Sequence, residues 1–313
     1  MKARPARRLS PPGPAALMLV AAATGVAALA PAARAAEAVV CEARWTDATR
    51  QRSLPVRIHL PAAGQPVPVV VYSPGLGGDL GGGLRWAQAW ARAGLAVLQL
   101  QHPGSDADAL RSGSARDAMS AQQFIARIED LHFVIDQLQA QPTVGDCALS
   151  RIDPRHIGVA GHSFGALTAQ AIAGQHYDVA GAAAIADRRV MAALALSPAP
   201  PGHGSAEAAF ATVRLPFLAI TGTRDAMPGG QPADREQVFR HLPPGDKWQL
   251  VLQDAQHADL AGRATSRHPH AEAAVIEVST AFWRATLLAD EVARRQLQAR
   301  PAGLADGDRW EGR

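Results

Sequence analysis

The chain has 313 residues, 48% of them apolar and 5% aromatic, so it is long enough for one large α/β domain with a core of Ala, Val, Leu and Ile. Its formal charge of +3 comes from the N-terminus: five of the 31 basic residues (Lys2, Arg4, Arg7, Arg8 and Arg34) precede residue 36, which leaves 26 against 28 acidic ones, or −2. That balance, with no Lys/Arg cluster, argues against a nucleic-acid partner, and the apolar share excludes wholesale disorder.

Residues 1–35 read as a signal peptide. A basic segment from Lys2 to Arg8 precedes an apolar stretch from Ala15 to Ala30, and Ala33-Arg34-Ala35 has the small-x-small pattern of a cleavage site. Cleavage is expected after Ala35 or Ala36, with export to the periplasm or the medium. The stretch is rich in weakly apolar Ala and interrupted by Thr24 and Gly25, so no stable membrane insertion is expected after the leader is removed. Cys41 and Cys147 are the two cysteines, and an oxidising compartment permits a disulfide between them. Two free thiols are the alternative.

The expected domain covers residues 36–298. It opens as a hairpin: Glu42 to Trp45, a polar turn through Asp47 to Arg50, then Leu54 to Leu60 in alternation. Val67 to Tyr72 is a β-branched run suited to a strand buried on both faces, and it ends in the glycine-dense Ser73-Pro74-Gly75-Leu76-Gly77-Gly78. Leu84 to Ala93 has helical period and stops at Gly94. Trp86 and Trp90 lie one turn apart on it; packing on the sheet is the plainer role for them, and lining an acyl pocket the sharper one. Leu95 to Leu100 is a strand that runs into His102-Pro103-Gly104-Ser105-Asp106, and a polar loop follows.

Ala121 to Gln139 carries Phe124, Ile128, Leu131, Ile135 and Leu138 at helical steps. Its Arg127 and Asp130 are spaced to pair on a solvated face. Further strands are expected at Asp153 to Ala160, Val190 to Leu196, Leu215 to Thr221 and Lys247 to Leu252. A small-residue helix from Ala166 to Ala173 and a final helix from about Glu272 into the 290s complete the pattern. Alternating strands and helices imply a mostly parallel sheet covered on both faces. Residues 299–313 read as a polar, frayed tail.

Gly161-His162-Ser163-Phe164-Gly165 is a G-x-S-x-G sequence between an expected strand and an expected helix. A sharp turn there pushes the serine hydroxyl off the sheet, and its neighbours two residues away must be small. A serine needs a base, and in this chain order the base follows the last strand. Of the 11 histidines, His257 in Gln253-Asp254-Ala255-Gln256-His257 has that position. His203 comes too early, His268 and His270 flank Pro269 in a loop expected to face solvent, and His162 is expected to point away from Ser163. The acid should lie between the two. Asp225, after the strand Leu215 to Thr221, fits better than Asp187, which precedes its strand. Ser163, His257 and Asp225 thus converge on the carboxyl ends of one sheet, where ligands bind. Backbone N–H groups of Phe164 and of Leu76 are the expected donors to an oxyanion. The segment from Ser197 to Leu215 is too short for a lid domain.

These residues resemble a known group, the secreted α/β-hydrolases called dienelactone-hydrolase-like or platelet-activating-factor-acetylhydrolase-like. The resemblance spans about residues 42 to 295. It is carried by Leu54-Pro55-Val56-Arg57-Ile58, Tyr72 to Gly78, His102-Pro103-Gly104-Ser105-Asp106 and Arg127-Ile128-Glu129-Asp130. Gly161-His162-Ser163-Phe164-Gly165, Gly222-Thr223-Arg224-Asp225 and Ala281-Phe282-Trp283-Arg284-Ala285 complete it. It implies an α/β-hydrolase fold with a mostly parallel eight-stranded sheet, helices on both faces and no lid domain. It also implies hydrolysis of a small-molecule ester with no cofactor and no metal. True dienelactone hydrolases use cysteine where this chain has Ser163. The chain is also similar to bacterial polyester hydrolases and cutinases, but it has Leu76 in place of their usual aromatic and no tryptophan in Pro200 to Ser205. Cleavage of amides on the same triad, or binding without catalysis, are the alternatives.

Overall fold

Residues 1, 3 and 38–313 are described by the computed structural model, apart from 63, 141–142, 145–146, 178–184, 227–229 and 266. Apart from residues 1 and 3, the expected signal peptide lies outside the described residues. Two strands, β1 (Val39–Asp47) and β2 (Arg52–Leu60), form the antiparallel opening hairpin. β3 (Val67–Ser73) leads through α1 (Leu84–Arg92) to β4 (Ala96–Leu100). Two short helices, α2 (Ala107–Ser112) and α3 (Ala115–Ala118), occupy the expected polar loop. Asp106 and Ser114 cap them, each accepting a backbone N–H with its side chain. α4 (Ala121–Ala140) follows, then the small hairpin β5 (Thr143–Val144) and β6 (Cys147–Ala148).

β7 (Ile152–His162) runs into α5 (Phe164–Ile172); β8 (Val190–Leu196), α6 (Ala206–Phe210), β9 (Phe217–Arg224), α7 (Gln237–His241) and β10 (Lys247–Gln256) succeed them. α8 (Pro269–Leu287), α9 (Glu291–Gln298) and β11 (Arg309–Gly312) close the chain.

The main sheet has the order β1-β2-β4-β3-β7-β8-β9-β10-β11. From β4 to β10 all neighbours are parallel; β1–β2, β2–β4 and β10–β11 are antiparallel. The protein is therefore an α/β structure on a mostly parallel, mixed sheet. Alternation along β3 sends Val69 and Val71 to one face and Val70 and Tyr72 to the other. α4, α5, α6 and α7 cover the first face; α1, α8 and α9 cover the second. Trp86 and Trp90 are fully buried on that second face, which settles them as packing residues. Their indole N–H groups donate to the Leu260 carbonyl and to Ser279 Oγ, at 3.2 and 2.8 Å. Each indole removes roughly 200 Å² from water, worth at most about 5 kcal/mol. Among the described residues no helix is long and apolar enough to cross a membrane.

Five expectations need correction. Among the described residues the main sheet has nine strands, not eight, because the tail is not frayed. Asp308, 3% exposed, accepts the N–H groups of Gln253 and Ala305 and a bond from His270 Nε2, and this anchors β11 on β10. Trp310 Nε1 then donates to the Leu297 carbonyl. His270 is accordingly engaged with Asp308 at 2.6 Å, not turned to solvent. The last helix is two helices: Ala289 has φ 52°, and Asp290 caps α9 by accepting from Val292 and Ala293. Arg127 and Asp130 are both fully buried, because α4 turns that face onto the loop after β3, and neither lies on a solvated surface.

Cys41 on β1 and Cys147 on β6 are joined by a disulfide, with their Cα atoms 6.0 Å apart and a sequence separation of 106. Closing a loop of that length is worth about 4–5 kcal/mol in the chain-entropy model. Cys147→Ala is expected to lower the free energy of unfolding by that amount in denaturant titration, and reductant is expected to have the same effect on the wild type only.

Candidate active site

Strand order reverses beside β3, since β4 lies on one side of it and β7 on the other. A crevice opens outside the carboxyl ends of strands at such a point. The loop after β3 and the turn after β7 meet there. Ser163 lies between β7 and α5 with φ 56° and ψ −117°, a conformation that costs a non-glycine residue about 1–3 kcal/mol. Its N–H donates to the Leu196 carbonyl at 3.0 Å and its carbonyl accepts from Leu167 at 3.1 Å, which hold the turn. A Cβ on Gly161 would overlap the carbonyl of Gly165, and a Cβ on Gly165 would overlap the carbonyl of Ser73. The two small positions are thus required by backbone contact.

β9 and β10 are parallel neighbours, so Asp225 and His257 emerge at the same edge. His257 Nε2 is 2.9 Å from Ser163 Oγ, and His257 Nδ1 is 2.8 Å from Asp225 Oδ1. Asp225 is wholly buried and also accepts from Thr221 Oγ1 at 3.0 Å. Burial alone would raise its pKa, but the hydrogen bond from His257 and the charge of Arg235 outweigh that and hold it below the ordinary carboxylate value. An ionised Asp225 accepts the Nδ1 proton, which leaves Nε2 free to accept from the Ser163 hydroxyl.

Arg235, in a 3-10 turn over Pro232–Glu236, has no counterpart in the sequence reading. It is 4% exposed. Its Nε lies 2.8 Å from Asp225 Oδ1 and 2.7 Å from the Asp225 carbonyl, and Nη1 donates to the Ser197 and Pro198 carbonyls at 2.9 and 3.0 Å. One side chain thus ties together the loops after β8 and β9. Nη2 is also 3.1 Å from His257 Nδ1. Two N–H groups cannot both donate across that gap, so the Nδ1 proton belongs to Asp225 and the guanidinium is anchored by the carboxylate and the carbonyls. In sequence, Asp234-Arg235-Glu236 carries no sign of burial.

His162 lies with its ring 4.6 Å from that of His257, and its Nε2–H donates to the His257 carbonyl at 2.9 Å. Burial, followed by the charge of His257, lowers its pKa to about 3, so it stays neutral. It supports the backbone of His257 and does not contact Ser163 Oγ. The other rivals lie apart from Ser163. His268 Nδ1 accepts from Ala271 N–H at the start of α8, Asp187 holds Arg189 and His132, and His203 is exposed.

A cleft of about 700 Å³ surrounds Ser163. Leu76, Met119, Phe164, Leu167, Ala199 and Ala226 give it an apolar lining, with Arg263 and Arg235 among its polar walls. A Cβ on Gly75 would lie 3.3 Å from Ser163 Cβ, so the loop bearing Leu76 passes directly over the serine. Only the five-residue α6 interrupts the stretch between β8 and β9. No protein-family model and no curated protein matches the chain.

Proposed function

We propose that this chain is an exported serine hydrolase of the α/β-hydrolase fold that cleaves small carboxylic esters through an acyl-enzyme intermediate. The observation that carries this reading is the continuous Ser163–His257–Asp225 hydrogen-bond chain, on a strained serine that lines a cleft. The eight strands that precede β11 in the main sheet support the fold assignment, as does the strand–turn–helix setting of Ser163.

Ser163 Oγ attacks the ester carbonyl while His257 Nε2 takes its proton. Asp225 fixes the tautomer and stabilises the imidazolium. The N–H groups of Leu76 and Phe164 hold the oxyanion. His257 then gives its proton to the leaving alcohol, and water repeats the sequence on the acyl-enzyme. The open, apolar cleft favours short, soluble esters over long lipids held in micelles. All of these groups belong to the chain itself, so the scheme calls for no cofactor and no metal.

A fluorophosphonate probe is expected to label wild-type protein at Ser163. Turnover of p-nitrophenyl acetate or butyrate is expected to exceed that of the matching p-nitroanilides. A protein that neither reacts with the probe nor releases p-nitrophenol would end this reading.

A further inference from the structure

Behind the loop that bears Leu76 lies a second serine–histidine–aspartate chain, closed to solvent. Ser73 Oγ is 3.0 Å from His102 Nε2, and His102 Nδ1 is 2.8 Å from Asp130 Oδ2. All three residues are fully buried, and none lines the cleft. They cannot meet a substrate, so their geometry calls for another role.

The hydrogens in this chain run one way. Arg52 donates to both oxygens of Asp130, at 2.6 and 2.8 Å, and Arg50 adds a third bond at 2.9 Å. Asp130 accepts the Nδ1 proton of His102, so Nε2 accepts from the Ser73 hydroxyl. Ser73 Oγ in turn accepts from Arg127 Nη2 at 3.0 Å. Ser73, His102, Asp130 and Arg127 all have hydrogen-bond partners, which makes such a buried polar chain rigid and directional.

Arg127 is the end of that chain which reaches the cleft walls. Nη2 also donates to the Pro74 carbonyl, and Nη1 donates to Ser105 Oγ at 2.7 Å. The Ser105 carbonyl accepts from Gly77 N–H at 2.9 Å. Leu76 therefore lies between two anchors, Pro74 and Gly77, that both lead to one guanidinium. On its other side Arg127 Nε donates to Thr168 Oγ1 at 3.1 Å, and that hydroxyl donates to the Phe164 carbonyl at 2.9 Å. The guanidinium carbon stands 4.6 Å from the centre of the Phe164 ring. A glycine-rich loop has little stiffness of its own, and a planar fork of five donors can fix two elements at once.

We propose that Arg127, held by the Ser73–His102–Asp130 chain, is a positioning residue that aligns the Leu76 and Phe164 N–H groups as one oxyanion hole. This rests on the acyl-transfer reading of Ser163. A buried cation in a merely packing role would be replaceable by an apolar side chain of like volume; a positioning role makes it specific for the transition state, where the oxyanion forms.

The test compares Arg127→Met, Arg127→Lys, His102→Asn and Ser73→Ala with wild type, using p-nitrophenyl butyrate. All rates are taken per active site, titrated to completion with fluorophosphonate, so misfolded protein does not count. Arg127→Met is expected to lower kcat by about 100-fold with KM within about threefold, and the two milder changes at His102 and Ser73 by about 10-fold. Arg127→Lys should recover only part of the loss. The affinity of a trifluoromethyl ketone, which forms an oxyanion on Ser163, is expected to fall in step with kcat/KM. If Arg127→Met does not fold, Ser73→Ala, which removes one hydroxyl, carries the test. Values of kcat per site within twofold of wild type in Ser73→Ala and His102→Asn would overturn the proposal, as would an unchanged ketone affinity. Wild-type protein that the probe fails to label would instead sink the serine-hydrolase reading beneath it.

Discussion

Ser163→Ala is expected to lower kcat for a p-nitrophenyl ester by about four to six orders of magnitude, with little change in thermal stability. The expected loss follows from what the hydroxyl does. In the proposed mechanism its oxygen bonds to the acyl group, and His257 Nε2, 2.9 Å away, is within hydrogen-bond reach of it. The residual rate would come from donors that still polarise the carbonyl and from a water at the vacated position. The fold should tolerate the change, since the turn is held by the Ser163 backbone bonds to Leu196 and Leu167 and not by the hydroxyl. Steady-state kinetics, with thermal melts of both proteins, check the two halves of the expectation separately. Activity within tenfold of wild type, in protein free of contaminating esterase, would remove Ser163 from the mechanism.

The triad was legible in sequence for a definite reason. Its members sit where regular elements end, and such ends are marked locally: small residues around Ser163, Gly222 before Asp225, a β-branched or apolar strand before His257. Chain order then limits which histidine and which carboxylate can meet. Arg235, Arg127 and Asp130 were illegible for the opposite reason. Arg235 sits between Asp234 and Glu236, Arg127 between Ala126 and Ile128, and Asp130 between Glu129 and Leu131; neither kind of setting distinguishes a charged residue facing water from one facing a carbonyl brought in by a distant segment. Burial of Arg127 depends on β3 and on the loop after β4; burial of Arg235 depends on the loops after β8 and β9. The tail misled in the same way. Pro301, Gly303, Asp306 and Gly307 look like the composition of a frayed end, yet one buried Asp308 with three partners orders the stretch and adds a strand. The helix break at Asp290 was marked locally, since Asp is a favoured N-cap, but the apolar period runs on through it.

Acid is expected to destabilise this protein well before its carboxylates titrate. Burial, with the charge of Arg127 next, lowers the pKa of His102 from 6.5 to about 4, and burial lowers that of His162 from 6.5 to about 3. In the unfolded chain both take up a proton as the pH falls through about 6.5, while in the folded chain both remain neutral. The unfolded state then binds more protons, so stability is full above that value and falls with pH by about 1.4 kcal/mol per unit for each histidine. From pH 7 to pH 5 the pair should cost about 3–4 kcal/mol, against a total of roughly 5–15 kcal/mol for a domain. His59, whose pKa burial also lowers, adds to the loss. His132 acts in the other direction, because its hydrogen bond to Asp187 raises its pKa and favours the folded state as the pH drops. Asp130 and Asp225 contribute only later, since a depressed carboxylate loses its stabilising share below the ordinary value near 3.8. Urea titrations at pH 7, 6 and 5, at fixed ionic strength, measure the slope directly, and His162→Gln should flatten it by about one proton. A free energy of unfolding that stays level from pH 7 to 5 would contradict the buried, neutral state of both rings. The two histidines that make the fold acid-labile are also the ones that touch the backbone of His257 and the hydroxyl of Ser73, so the loss of order should begin at the site itself.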